Sequence, residues 1–185
     1  MTLIRSITTV GGYTMISRVL GFVRDILIAA SLGAGPVADA FFIAFKLPNF
    51  FRRLFAEGAF NAAFVPLFAR HLSEGGADAA RRFAEEVISV FAVFLMLFVT
   101  GLQIAMPWLM YGFAPGFADD PYRFDLAVSL AQVTFPYLLF ISLASQLGGI
   151  LNGLGRFAAA AATPIILNLC LIAVLLGLGS VMETP

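Results

Sequence analysis

The chain has 185 residues, of which 61% are hydrophobic and 12% are charged, whereas soluble domains average about 45–50% and 25%. A soluble chain of this size cannot enclose so much apolar surface, so the composition excludes a soluble globular protein. Eleven Lys+Arg balance eleven Asp+Glu, and no overall basic field points to nucleic acid. One cysteine and one histidine provide neither an internal disulfide nor a zinc motif. The sequence therefore predicts an all-α membrane protein, a polytopic helical bundle.

The first two predicted spans, 4–32 and 37–69, form a helical hairpin around the turn at 33–36. They are apolar on average but contain eight charged residues: Arg18, Arg24, Asp25, Asp39, Lys46, Arg52, Arg53 and Glu57. A cleavable signal peptide is excluded, because two arginines interrupt the first apolar run. The second span would measure roughly 50 Å as a helix, against about 30 Å of hydrocarbon. It must tilt, bend or protrude, and Pro48 is the expected kink.

Three further spans are predicted over 84–113, 121–154 and 157–181. Their uncharged runs of 27, 29 and 25 residues exceed the roughly 20 residues that a crossing requires. Asp120 followed by Pro121 predicts a helix cap and a first-turn proline. Gly149 and Gly153 predict close helix packing.

The segment 73–86 is predicted to be a loop that leads into a solvated helix start. Glu86 follows Arg81 and Arg82 by four to five residues, so local ion pairs are expected there.

Loop charges predict the orientation of the chain in the membrane. With the N-terminus inside, the inner segments hold five basic residues and the outer segments hold one; cytoplasmic loops carry such an excess. An odd number of spans then places Pro185 outside, directly after a span. A chain that stops there is expected to be part of a longer protein.

The eight charges in the first two spans are the candidate functional residues. Each costs about 2.5–3.5 kcal/mol at the centre of a bilayer, so they must face one another or a water-filled cavity. Counting outward from the turn places Arg18 level with Arg52 and Arg53, and Arg24 and Asp25 level with Lys46. Because Pro48 would rotate the lower half of the helix, the sequence leaves open whether Arg52 or Arg53 faces the cavity.

Five of these eight residues are basic and three are acidic, which leaves two unneutralised positive charges. Guanidinium groups bind phosphate oxygens in a bidentate fork, so the excess favours a phosphate or diphosphate ligand. The alternative is a set of static ion pairs that lock the helices together without a ligand.

Enzyme signatures are missing from the sequence. It contains no phosphate-binding glycine loop with a lysine, no metal-ligand cluster and no nucleophile beside a base. We therefore predict a transporter that is not an enzyme, with no catalytic residue, metal site or cofactor.

Three charged runs carry a resemblance to a known family: SRVLGFVRD at 17–25, DAFFIAFKLPN at 39–49 and RRLFAEGAF at 52–60. They closely resemble the MurJ (MviN) family of lipid II flippases, as do the runs at 114–117 and 134–137. The resemblance implies a multi-pass transporter of the bacterial inner membrane, in the MOP exporter superfamily. Lipid II would cross from the cytoplasmic to the periplasmic leaflet by alternating access through a cavity between two helical lobes.

The resemblance also implies roles for individual residues. The family's cavity arginines match Arg18, Arg24 and Arg52, and with them Arg53, and these would bind the diphosphate. Its acidic partners match Asp39 and Glu57, and the matched runs also contain Ser17, Asp25, Lys46 and Asn49, as charge partners or gating residues. Exchange of arginine between phosphate and carboxylate would then bias inward-open against outward-open states.

The family has many more spans than five, so residues 1–185 are expected to be the N-terminal portion of the first lobe and inactive alone. The implied partners are lipid II, membrane lipids and cell-wall synthesis proteins. Two alternatives stay open: another lipid-linked oligosaccharide or drug exporter of the same superfamily, and a non-transporting scaffold for wall synthesis.

Overall fold

The computed structural model describes residues 3–56 and 59–179, with side chains from 8 to 56 and from 62 to 177. These residues form α1 (Leu3–Leu32), α2 (Pro36–Phe55), α3 (Ala59–Ile104), α4 (Met106–Phe113), α5 (Pro121–Thr134), α6 (Tyr137–Gly153) and α7 (Phe157–Gly179). A short 3-10 turn at Pro115–Phe117 joins α4 to α5. The predicted all-helical membrane bundle is confirmed.

Within the described residues, three segments are long and apolar enough to cross a membrane: Ala62–Ile104, Pro121–Gly153 and Phe157–Gly177. The helices α1 and α2 are not among these segments. That they cross the membrane stays a prediction.

The second predicted span, 37–69, is not one helix. The helix α2 continues through Pro48 and ends at Phe55, and α3 begins at Ala59. The hydroxyl of Ser145 on α6 donates a hydrogen bond to the carbonyl of Ala56, which ties the end of α2 to a neighbouring helix. The predicted charge partner Glu57 lies outside the described residues.

The prediction of a loop over 73–86 is wrong, because this segment is helical on both sides of Gly76. In a continuous helix Phe64 and Phe83 would lie about 28 Å apart, yet their ring centroids are 5.8 Å apart. The chain therefore reverses at Gly76, where φ is 72°, and α3 consists of two antiparallel arms, 59–75 and 77–104. The ion pair predicted beside this turn joins Arg81 to Glu85, at 2.7 Å, and not to Glu86.

Two other predicted spans are interrupted. The span 84–113 breaks between Ile104 and Met106, where α4 begins with a proline in its first turn. The span 121–154 breaks at Pro136, which lacks an N–H and cannot continue the hydrogen-bond ladder; the amide of Leu138 instead donates to the carbonyl of Phe135, at 3.0 Å. The predicted cap is confirmed, since Asp120 accepts a hydrogen bond from the amide of Arg123, at 3.2 Å.

The packing of the first two helices differs from the predicted hairpin. The turn at Gly33 connects them, but α1 packs mainly along α7, while α2 packs along α5 and α6. The contact between α2 and α5 is made by alanines at helical spacing, which are fully buried and let the two backbones approach closely. They are Ala40, Ala44, Ala127 and Ala131. A groove therefore opens between the pair α1 and α7 and the pair α2 and α6.

The predicted role of Gly153 in close packing is consistent with the structure. A Cβ at this position would lie 3.0 Å from the Phe68 ring on the first arm of α3, so the absence of a side chain avoids a tight contact between α3 and α6.

Candidate functional site

Charged side chains line the groove between the two helix pairs. Arg24 and Arg52 line one cavity of about 450 Å³, together with Asn49, Tyr137 and Asn168. A second cavity of about 360 Å³ shares Arg52 with the first. A third, of about 480 Å³, contains Ser17 and Arg18, and all three cavities share Pro164. We call these three adjoining cavities the arginine groove.

The guanidinium of Arg24 is held on two sides. Its Nε and Nη2 atoms donate to Oδ1 of Asp25, at 3.0 and 2.7 Å, and its Nη1 donates to Oδ1 of Asn168, at 2.8 Å. An arginine has five N–H donors, so within the described part of the chain two of them stay available to a ligand. The Arg24 side chain is 25% exposed, so it is accessible from the groove and fixed in position.

Arg52 is oriented by an asparagine of its own helix. Its Nε donates to Oδ1 of Asn49, at 3.3 Å, and Nδ2 of Asn49 donates to the carbonyl of Phe45, at 2.9 Å. The sequence left open which arginine of this pair faces the cavity. In the structure Arg52 lines the groove, whereas Arg53 is exposed and does not line its three cavities.

Arg18 is exposed and lies further along the groove from Arg24, as its place one and a half to two helical turns earlier in α1 requires. Counting from the turn had matched Arg18 in depth with Arg52. In the structure Arg52 lines the first cavity together with Arg24 and also lines the second cavity. Arg18 lines the third cavity, so Arg52 and Arg18 do not share a cavity.

The other predicted charge partners lie in different surroundings. Asp39 has Oδ2 at 3.7 Å from Nη1 of Arg123 on α5, which differs from the expectation that it pairs with an arginine of the first two helices. Lys46 is exposed on α2. Asp25 is therefore the carboxylate that the described residues place against Arg24, and Arg18 and Arg52 line the same groove.

An apolar pocket adjoins the arginine groove. It has a volume of about 620 Å³ and is lined by Arg24 and Asp25 at one side and by aromatic and aliphatic residues elsewhere. The Phe41 and Phe45 rings in this lining are stacked, with centroids 5.7 Å apart. The groove thus places a charged surface beside an apolar one, which suits an amphiphilic ligand.

Sequence reasoning missed Asn168. This residue is 5% exposed and lies on a helix that was predicted to serve only for packing. A signal was available, because a buried amide within a 23-residue apolar helix requires hydrogen-bond partners.

The fold and this groove define a class: an α-helical membrane protein with arginines in a cavity between its helices. The chain matches the family model described as lipid II flippase MurJ over residues 28–184. It is 54% identical to the probable lipid II flippase MurJ of Rhizobium tropici, over 95% of this chain and 33% of the relative. It is 42% identical to the probable lipid II flippase MurJ of Rickettsia prowazekii, over 100% of this chain and 36% of the relative.

The chain belongs to the lipid II flippase MurJ family. A further relative, the lipid II flippase MurJ of Burkholderia cenocepacia, is 39% identical over 100% of this chain and 36% of the relative. The chain therefore spans about a third of the length of these curated relatives. The resemblance carried by the charged runs is confirmed.

Proposed function

We propose that the chain contributes to a lipid II flippase, and that the arginine groove binds the diphosphate of the lipid. Lipid II, an undecaprenyl diphosphate that carries the peptidoglycan disaccharide-pentapeptide, would pass from the cytoplasmic to the periplasmic leaflet. The observation that carries the proposal is the single cavity lined by Arg24 and Arg52. The names of the relatives support the substrate and disfavour the alternatives of a drug exporter and a scaffold.

The chemistry of the groove fits a diphosphate. Three of the five N–H groups of Arg24 are engaged by Asp25 and Asn168, and guanidinium N–H groups form charge-assisted hydrogen bonds to phosphate oxygens. Arg24 is fixed before the ligand arrives, so little side-chain freedom is lost on binding. The adjoining apolar pocket provides a surface for the first part of the lipid chain.

Release of the lipid requires that the arginines have other partners. Asp25 already accepts two hydrogen bonds from Arg24, so it stabilises the guanidinium when no phosphate is present. Arg24 would bind phosphate in one state of the protein and only the Asp25 carboxylate in another. A ligand shifts the equilibrium between two such states by the difference in its affinity for them.

We further propose the location and topology of the protein. The chain lies in the bacterial inner membrane with its N-terminus in the cytoplasm, because basic residues are concentrated in the segments on that side. Residues 1–185 form the N-terminal portion of the first lobe of a transporter of the MOP type. Lipid II and membrane lipids are the ligands, and cell-wall synthesis proteins are further partners.

The test is lipid binding by the protein encoded by its complete reading frame, in nanodiscs, measured by native mass spectrometry. Wild type is compared with Arg24→Ala/Arg52→Ala, using lipid II and undecaprenyl phosphate as probes. We expect wild type to prefer the diphosphate lipid, and the double variant to lose that preference.

A matched control removes the same charge elsewhere. Arg70 and Arg81 lie on the arms of α3 and pair locally with Glu74 and Glu85, at 3.0 and 2.7 Å, with arginine side chains 68% and 77% exposed. Arg70→Ala/Arg81→Ala should bind lipid II as wild type does. Equal retention of lipid II by all three proteins would reduce the groove arginines to structural ion pairs.

A further inference from the structure

We propose that Asn168 is a positioning residue for Arg24 and sets the affinity of the groove for the diphosphate. The inference rests on the proposed function, since it assigns to α7 a residue that prepares the phosphate-binding arginine of α1. The bond between them, from Arg24 Nη1 to Asn168 Oδ1, is 2.8 Å long and joins residues 144 positions apart in the chain.

Asn168 is itself fixed at its other end. Its Nδ2 donates to the backbone carbonyl of Ser17, at 3.0 Å. Ser17 and Arg24 are seven residues apart and so lie on the same face of α1. The amide therefore spans two points of one helix, and the guanidinium is held relative to the backbone that carries it.

The chemistry of the partners dictates the orientation of the amide. Arginine only donates hydrogen bonds and a backbone carbonyl only accepts them. The oxygen of Asn168 must therefore face Arg24 and its nitrogen must face Ser17, and the flipped amide would lose both bonds. Among side chains of this size only asparagine offers an acceptor and a donor on the same planar group.

Within the part of the chain that the structure describes, the amide of Asn168 has two hydrogen-bond partners, Arg24 and Ser17. Asn168 is 5% exposed, and its Nδ2 would lie 3.6 Å from a Cβ placed on Gly21. This distance is an ordinary van der Waals contact, so α7 lies close against α1 at this point. A buried amide in an apolar helix is retained at a free-energy cost that hydrogen bonding must offset, and both bonds go to the helix that carries Arg24.

Two substitutions separate the functions of the amide. Asn168→Leu keeps the approximate size and removes both hydrogen bonds. Asn168→Asp keeps an acceptor for Arg24, but it places an oxygen against the Ser17 carbonyl and adds a negative charge that competes with phosphate. Leu169→Ala, at a neighbouring residue 49% exposed on the same helix, controls for substitution on α7.

The decisive measurement is a double-mutant cycle on lipid II affinity, in nanodiscs that contain the protein encoded by the complete reading frame. Wild type, Arg24→Ala, Asn168→Leu and the double variant are compared by native mass spectrometry. We expect Asn168→Leu to weaken lipid II binding roughly tenfold, as loss of a hydrogen bond to a charged group does. Asn168→Asp should weaken it at least as much, and Leu169→Ala should leave it unchanged. In the Arg24→Ala background, Asn168→Leu should have no further effect.

The outcomes separate this inference from the proposed function. If Arg24→Ala binds lipid II as wild type does, the proposed function fails, and the inference fails with it. If Arg24→Ala weakens binding but Asn168→Leu does not, the inference alone is overturned. An equal loss from Asn168→Leu with and without Arg24 would also overturn it, because the effect would then come from helix packing.

A spectroscopic measurement tests the positioning without any ligand. The Nη signals of Arg24 in ¹⁵N-arginine-labelled protein, assigned with Arg24→Lys, report rotation of the guanidinium. Bonds on both sides should restrict that rotation in wild type, and Asn168→Leu should release it. Equal rotation rates in the two proteins would contradict the positioning role.

Discussion

Arg24 donates a hydrogen bond to Asn168 in the same way that Arg52 donates one to Asn49. In both cases the amide nitrogen of the asparagine is anchored to a backbone carbonyl, that of Ser17 or that of Phe45. The two arginines that share a cavity are thus oriented by the same chemical arrangement, once between helices and once within a helix. Both guanidinium groups are positioned before a ligand arrives, as a site of defined geometry requires.

The planar guanidinium of Arg24 cannot be replaced by the ammonium group of a lysine. Arg24→Lys keeps the positive charge but has three N–H donors in place of five, so it cannot make the three present bonds to Asp25 and Asn168 and also bind phosphate. We expect lipid II affinity to fall about tenfold or more, as measured by native mass spectrometry in nanodiscs. Arg70→Lys, at an exposed local ion pair, is the control. Wild-type affinity in Arg24→Lys would show that charge alone suffices.

Asn49→Leu is expected to have a smaller effect than Asn168→Leu. The bond from Arg52 to Asn49 is 3.3 Å long, which makes it weak, and both residues belong to one helix. We expect lipid II affinity to fall about two- to threefold in the same assay. A loss larger than that of Asn168→Leu would contradict the ranking of the two asparagines.

The reversal of α3 depends on Gly76. Its φ of 72° and ψ of −171° lie in a region that essentially only glycine adopts, where a residue with a Cβ is destabilised by about 1–3 kcal/mol. Gly76→Ala should therefore lower the thermal unfolding midpoint in detergent. Gly112→Ala is the matched control, because a Cβ there meets no atom within 4 Å and its φ is not positive. Equal midpoints for the two variants would show that the turn tolerates a side chain.

A reciprocal pair of hydrogen bonds joins α3 to α5. The side-chain nitrogen of Gln103 donates to the carbonyl of Gln132, at 2.8 Å, and that of Gln132 donates to the carbonyl of Gln103, at 3.0 Å. Each side chain binds the other residue's backbone, so the bonds are separate. We expect Gln103→Leu and Gln132→Leu each to cost about 0.6–1.7 kcal/mol of unfolding free energy in SDS titrations.

The double variant tests whether the two bonds are independent. Its cost should equal the sum of the single costs to within about 0.5 kcal/mol. A double variant no less stable than either single variant would mean that the bonds form and break together.

The sequence was sufficient to predict the class of fold and the charged groove, because charges in apolar helices have few allowed surroundings. Arg24, Arg52 and Asn49 were all predicted, and all line one cavity. Helix breaks were harder to predict, since average apolarity over 37–69 contains no sign of the end at Phe55. The loop predicted over 73–86 was wrong, because a single glycine with positive φ, Gly76, is enough to reverse the chain between two helical arms.

The choice of helix partners could not be predicted from apolarity alone. Lipid and protein are equally apolar, so a hydrophobic face does not specify which neighbour it meets. Small residues carried the information instead: the buried pairs Ala40 and Ala44 on α2, and Ala127 and Ala131 on α5. Asn168 was overlooked because the charges of the first two spans were the stronger signal.

The pairing of α1 with α7 has a consequence for synthesis of the protein. A ribosome adds about 5–20 residues per second, so Asn168, which lies 144 positions after Arg24, is made roughly 7–30 s later. During that interval Arg24 has no interhelical partner in Asn168. Asp25, the next residue in the chain, is made together with Arg24, so the carboxylate that pairs with Arg24 in the folded structure exists before α7 does.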